Sequence, residues 1–153
     1  MPEIAPSPDF GANIERAFVE RSSVLQAWGT YGILWPVVHQ QLGVAPDLGN
    51  RRLAVVPQLP PGHTSASGSN IRVGSGSVGA RVSLVGNRLL VRVRVQKVSA
   101  ALTLGAVLPS GSEVSSVELD GDRAPYTLAS TTRGDEARVN GHPGTNELVI
   151  TLR

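Results

Sequence analysis

The chain has 153 residues, which is enough for one domain with a hydrophobic core. Only 17% of the residues are charged and the formal net charge is +2, so no strong electrostatic field points to nucleic acid or to a membrane surface. Cysteine is absent, so the fold needs no disulfide and the redox state of the compartment is left open.

The first residues and the longest apolar run predict a soluble chain. Met1-Pro2-Glu3 lacks the basic residues that open a signal peptide. The apolar run after Val24 is interrupted by polar residues, and a membrane span needs about 20 mostly apolar ones. We therefore expect no membrane partner, with a cytoplasmic location slightly favoured.

Two helices are predicted at the start of the chain. Residues 13–21 alternate polar and apolar side chains with helical period. Residues 25–46 read as one long helix that is apolar nearly all round, kinked at Pro36 and ended by a left-handed Gly43 and by Pro46. A helix that is apolar on every side belongs inside a larger body. We therefore expect self-association of the isolated chain through this helix.

Short motifs in this region resemble the glycogen-debranching and glucoamylase-like glycoside hydrolases. Pro2-Glu3-Ile4 is similar to the segment that carries the general base in those enzymes, and Gln26-Ala27-Trp28 to the opening of their last barrel helix. The resemblance implies the end of an (α/α)6 barrel followed by a C-terminal β-sandwich. It also implies inverting hydrolysis of glucosidic bonds, with Glu3 activating the water, and no cofactor.

The rest of the chain predicts short strands. Period-two alternation is clearest at residues 89–95, where Leu89, Val91 and Val93 share one face and Arg92 and Arg94 the other. Further strands are predicted at 52–57, 71–73, 77–84, 101–104, 114–119, 126–129, 136–139 and 147–152. Residues 60–70, rich in Pro, Gly and Ser, are predicted as an exposed loop. Many short strands separated by turns indicate an antiparallel sandwich.

These elements together predict an α+β fold. Residues 1–46 would supply the terminal helices of the barrel, and residues 47–153 an antiparallel β-sandwich. Because the first unit is a partial barrel with a single catalytic carboxylate, the isolated chain is expected to hydrolyse nothing.

The candidate site residues come from the first unit. Glu3 is the candidate general base in a full-length parent enzyme, against the alternative of an exposed terminal carboxylate. Gln26 and Trp28 are candidates for substrate binding, since aromatic faces pack on sugar rings. An aromatic stripe at helical spacing is more often core, and a core position is favoured for Trp35.

Other chemistries have little support in the sequence. The three histidines His39, His63 and His142 lack ligand spacing, so no metal site is expected. Residues 74–79 are glycine-rich but lack the Lys of a phosphate loop. Arg92, Arg94 and Lys97 read as a solvated strand face without interleaved aromatics, so nucleic acid is not expected as a partner.

The leading hypothesis from the sequence is therefore the C-terminal fragment of a glycoside hydrolase acting on α-glucan-type carbohydrate, in which the sandwich is a structural accessory domain. The alternative is a non-catalytic module that binds carbohydrate or another protein. A complete small enzyme is the weakest hypothesis, because the sequence shows no recognisable set of acid, base and nucleophile.

Overall fold

The computed structural model describes residues 31–32 and 34–153. The chain divides into two compact units, Met1–Val37 and Val38–Arg153. Of the first unit, only residues 31–32 and 34–37 are described, and Tyr31, Gly32 and Leu34 among them are helical. A π-helix covers Trp35–Gln41 and a short 3-10 helix covers Leu48–Asn50.

The second unit is built from eleven strands. In chain order they are β1 (Val44–Asp47), β2 (Arg52–Val55), β3 (Ser65–Val73), β4 (Gly76–Val85), β5 (Arg88–Gln96), β6 (Ala101–Val107), β7 (Val114–Leu119), β8 (Asp122–Arg123), β9 (Thr127–Thr131), β10 (Gly134–Asn140) and β11 (Gly144–Leu152). They form a five-stranded sheet in the order β1-β2-β6-β10-β9 and a six-stranded sheet in the order β3-β4-β5-β11-β7-β8.

Alternating side chains from both sheets make one shared core. Val55 and Leu104 of the five-stranded sheet and Val91, Leu148 and Ile150 of the six-stranded sheet belong to the same cluster of buried apolar residues. Side chains that point the other way along each strand form the outer faces of the sandwich. The β-sandwich predicted from the period-two pattern is therefore confirmed.

The predicted α+β class is wrong. The described residues are mostly strand. Their helical parts are residues 31, 32 and 34, one seven-residue π-helix and one three-residue 3-10 helix, and they contain no helical end of a barrel. An apolar run of this kind does not by its period distinguish a helix from a buried strand, and the residues after Gly43 form a strand. The predicted domain boundary at residue 46 stays a prediction.

The predicted helix at residues 25–46 stops early for a local reason. Pro36 has no N–H to donate, and the helix around it takes the wider π form and ends at Gln41. Gly43 is left-handed as predicted, with φ of 64°. A side chain there would place its Cβ 1.9 Å from the carbonyl oxygen of Val56, so only glycine lets the chain enter β1 beside β2.

Two further predictions about the strands need correction. Residues 65–70 were predicted as a loop, yet they form the first part of β3, which pairs with β4 through its backbone despite its small polar side chains. The sandwich is also not fully antiparallel, because β2 and β6 run parallel. Turns separate the strands at residues 86–87 and 110–111, where Gly86 and Gly111 have positive φ.

Candidate functional site

The residues predicted to carry glycosidase chemistry lie outside the described part of the chain. Glu3, Gln26 and Trp28 all belong to residues 1–30. Tyr31 and Trp35 are described, and their rings stack with centroids 5.2 Å apart. The sequence favoured a core position for Trp35, but its side chain is 41% exposed.

A buried carboxylate on β10 is the centre of the densest polar cluster in the sandwich. Because Ala137 and Val139 point into the core, Glu136 and Arg138 lie on the outer face of the five-stranded sheet. Glu136 is nevertheless only 1% exposed. Its Oε1 accepts a hydrogen bond from Arg133 at 2.7 Å, and its Oε2 accepts from both Nε and a terminal nitrogen of Arg138 at 2.8 and 2.6 Å.

Arg133 connects this cluster to the residues just before β1 and just after β2. Its second terminal nitrogen donates to the carbonyls of Gln40 at 3.1 Å and Val56 at 3.0 Å. The Thr131 hydroxyl donates a hydrogen bond shared between Glu136 Oε1, at 3.1 Å, and the carbonyl of Gly134, at 3.0 Å. A buried charge is tolerated when it is paired and hydrogen-bonded, and every requirement is met here.

This bonding decides what Glu136 can do. A general acid or base needs an oxygen that faces the substrate. Two guanidinium groups and the Thr131 hydroxyl bond both oxygens of Glu136, so neither oxygen is free to face a substrate. Glu136 is therefore a structural carboxylate rather than a catalytic one.

A cavity of about 540 Å³ lies at one end of the sandwich, beside Arg133. Apolar side chains including Leu59, Leu84 and Leu108 line part of it, while the polar lining includes His63 and Asp135. Asp135 already accepts a hydrogen bond from the Ser130 hydroxyl. The size and the mixed lining suit a small polar ligand such as a sugar unit.

Most glycosidases use two carboxylates that face each other across the substrate. Four cavities of about 370 to 700 Å³ lie among residues 51–145 of the sandwich, and Asp135 is the one acidic residue among the side chains that line these four.

An exposed ion pair joins two turns at the other end of the sandwich. His142 Nε2 lies 2.7 Å from Asp120 Oδ2, and His142 Nδ1 lies 2.9 Å from the Pro143 carbonyl. Both partners accept hydrogen bonds, so the doubly protonated ring suits the site. The Pro143 carbonyl, and then the Asp120 carboxylate, raise the pKa of His142. The hydrogen bond from His142, and then that from the Glu147 N–H, lower the pKa of Asp120.

These polar clusters are not evident from the amino-acid sequence. Glu136 was assigned only to a predicted strand, although its place two residues before Arg138 puts both on one strand face. The contact of Glu136 with Arg133 depends on the turn between β9 and β10, and the contact of His142 with Asp120 joins residues 22 apart. Neither contact can be predicted from the spacing of the residues along the sequence.

Among residues 31–32 and 34–153, no group of three or more His, Asp or Glu side chains is placed to hold a metal ion. Within the same residues, no helix is long and apolar enough to cross a bilayer. No protein-family model matches the chain, and a search of curated proteins finds no match.

Proposed function

We propose that the chain is the C-terminal part of a glycoside hydrolase acting on α-glucan-type carbohydrate, and that its β-sandwich is a structural accessory domain without catalytic activity of its own. The non-catalytic part of this proposal is supported by the lining of the four cavities described above, where Asp135 is the one carboxylate. The sequence resemblance at Glu3 and at Gln26-Ala27-Trp28 carries the glycosidase part.

Exposed apolar side chains in the first compact unit support the larger assembly. Tyr31, Leu34, Trp35 and Val37 all have more than a third of their surface exposed. Apolar residues exposed together usually mark a surface that packs on another body. In the proposed function these four side chains pack on the catalytic part of the enzyme.

The sandwich itself is suited to a supporting role. Val38–Arg153 has its own apolar core, and the Arg133–Glu136–Arg138 cluster is fully bonded within that unit. Such a unit folds on internal contacts and offers two sheet faces to its surroundings. Glu3 remains the proposed general base, and Gln26 and Trp28 the proposed sugar contacts.

The test is an activity assay on two proteins. The first is the 153-residue chain, and the second is the product of the same gene read together with any in-frame coding sequence upstream of the Met1 codon. We expect no release of reducing sugar from maltooligosaccharides by the first protein and hydrolysis by the second. Glu3→Gln in the second protein should lower kcat by about 10²- to 10⁴-fold. Full activity of the Glu3→Gln variant would contradict the assignment of Glu3.

The second candidate function is carbohydrate binding without catalysis, and the cavity beside Arg133 favours it. Its volume of about 540 Å³ and its mixture of apolar and polar lining residues fit a sugar ring. The test is retardation of the chain in native gels containing soluble glycogen. His63→Ala with Ser110→Ala, two polar residues that line the cavity, should abolish any retardation that this cavity causes.

A further inference from the structure

The positive charge of the chain is unevenly distributed. No acidic residue lies between Asp47 and Glu113, whereas seven arginines and one lysine fall in that interval. The formal charge of the whole chain is only +2, so acidic residues elsewhere offset this excess. The interval contains β3, β4 and β5, which are neighbours in the six-stranded sheet.

The strand register gathers the arginines on one face. Val78, Ala80 and Val82 of β4 and Leu89, Val91 and Val93 of β5 are buried, so the residues between them point outward. These outward residues include Arg81, Arg88, Arg92 and Arg94, and Arg72 extends the set onto β3. We call this set the arginine face. The one carboxylate that β11 adds beside it is Glu147.

Most of the arginine face has no internal counter-charge. Arg92 Nε lies 3.4 Å from Glu147 Oε1, in a pair whose side chains are 66% and 61% exposed. Within the described residues, Arg81 and Arg94 make no ion pair and no side-chain hydrogen bond. Arg81 also lies directly opposite Arg92 in the register, and like charges in that position repel each other. The face therefore costs stability rather than adding to it.

A groove of about 400 Å³ runs between these arginines. The residues that line it include the small residues Ser67, Ser69, Gly79 and Thr145. Arg81, Arg92 and Arg94 line it as well. Gly79 is opposite Arg94 and has no backbone requirement for glycine, since a Cβ there would meet its nearest neighbour at 3.8 Å. The absence of a side chain at Gly79 keeps the groove open.

We infer that the arginine face and its groove bind a linear polysaccharide that carries anionic groups. Guanidinium groups bind carboxylate, sulfate and phosphate in a bidentate fork, and the groove adds serine and threonine hydroxyls for the sugar hydroxyls. Along β5, Arg92 and Arg94 are spaced by roughly 7 Å, and β4 lies about 4.8 Å away. A chain with repeated charges can therefore contact several arginines at once.

Other polyanions find fewer of their usual contacts on this face. A peptide that binds by adding a strand pairs with the edge of a sheet, where its backbone groups find partners, whereas this face offers side chains alone. Single-stranded nucleic acid is held largely by aromatic stacking, and none of the residues that line the groove is aromatic. Stable seating of a protein in a membrane surface adds apolar side chains that enter the lipid, and no large apolar residue lines the groove.

The experiment measures binding of the whole chain by isothermal titration calorimetry at 50 mM and 300 mM salt. Dextran sulfate and polygalacturonate present sulfate and carboxylate, and neutral dextran is the matched uncharged glucan. We expect binding of one or both charged polymers, at least tenfold weaker at the higher salt, and no binding of neutral dextran. The stronger of the two charged polymers identifies the preferred anionic group.

Two variants locate the site and one controls for charge. R81T/R94T removes two exposed guanidinium groups and should weaken binding by roughly tenfold or more. G79T fills the groove without removing charge and should also weaken binding. The control R51N/R52T removes two exposed arginines from the region of β2, with asparagine chosen for the left-handed Arg51, and should change the affinity by less than about twofold.

Three results would overturn the inference. An equal loss of affinity in R81T/R94T and in R51N/R52T would mean that binding depends only on the net charge of the protein. Equal binding of neutral dextran would show recognition of the uncharged glucan, which would support the second candidate function and remove the role of the arginines. Tighter binding of single-stranded DNA than of either charged polysaccharide would assign the face to nucleic acid.

Discussion

The outer faces of the two sheets use arginine in opposite ways. On the five-stranded sheet, Arg133 and Arg138 enclose the buried Glu136 and leave neither of its oxygens free. On the six-stranded sheet, Arg81 and Arg94 are exposed and lack a carboxylate within the described residues. A buried charge must be paired, whereas an exposed one costs little when it is not. The first arrangement stabilises the fold, and the second remains available to a ligand.

The largest effect should come from removing the buried carboxylate. Glu136→Ala leaves two guanidinium groups without their counter-charge and should lower the free energy of unfolding by about 3–5 kcal/mol. Urea denaturation measures this change. The matched variant on the other face is Glu147→Ala, which should cost less than about 1 kcal/mol because its pair with Arg92 is exposed. Equal costs for the two variants would remove the distinction between the faces.

The two arginines that bind Glu136 should contribute unequally to the free energy of unfolding. The Arg133 side chain is 18% exposed and also binds the carbonyls of Gln40 and Val56, while the Arg138 side chain is 37% exposed. Arg133→Ala should therefore cost about 3 kcal/mol of unfolding free energy, and Arg138→Ala about half as much. A larger cost for Arg138→Ala would show that the carbonyl contacts of Arg133 contribute little.

A substitution on the arginine face should change the free energy of unfolding by much less, and in the stabilising direction. Arg81→Thr removes the repulsion from Arg92 and places a β-branched residue in a strand, so it should stabilise the fold by roughly 0.2–1 kcal/mol. The gain should shrink in 0.5 M salt, which screens exposed charges. Thermal unfolding at both salt concentrations measures it. Destabilisation at both would mean that Arg81 makes a contact that supports the fold.

The smallest effect on stability is expected from the exposed ion pair of His142 and Asp120. The raised pKa of His142 means that its contribution to stability is complete below pH 6.5 and is lost as the pH rises through the higher folded-state value. The lowered pKa of Asp120 means that its contribution is present above pH 3.8 and is lost as the pH falls through the lower folded-state value. The pair should therefore add most stability between these two limits.

An NMR titration of the His142 ring checks this pair. The midpoint should lie above 6.5, and Asp120→Asn should lower it only in part, because the Pro143 carbonyl is the larger cause of the shift. An unchanged midpoint in Asp120→Asn would show that the carboxylate does not act on the ring.

The sequence was most informative where side chains alternate. Leu89, Val91 and Val93 predicted β5 and its buried face correctly, since burial on one side of a sheet leaves a period-two pattern. It failed at residues 65–70, where small polar side chains conceal a strand that is held by backbone pairing. It also failed at residues 44–46, which were predicted as the end of the long helix and form the first part of β1, because an apolar run does not reveal whether its residues form a helix or a strand.

The polar sites were harder to predict than the strands. Arg92 and Arg94 were correctly placed on a solvated face, but the pattern did not show that Arg81 comes opposite Arg92, since this depends on the register of the β4–β5 hairpin. Glu136 meets Arg133 across a turn, and Arg133 is itself held by carbonyls of Gln40 and Val56, more than 70 residues away in the chain. The site residues Glu3, Gln26 and Trp28 remain predictions.

The difference between the two outer faces can be tested in one NMR measurement of the arginine side-chain N–H signals during titration with dextran sulfate. We expect the signals of Arg81, Arg92 and Arg94 to shift, while those of Arg133 and Arg138 stay in place because Glu136 already holds them. Shifts of Arg133 and Arg138, or shifts of equal size at Arg51 and Arg52, would contradict it.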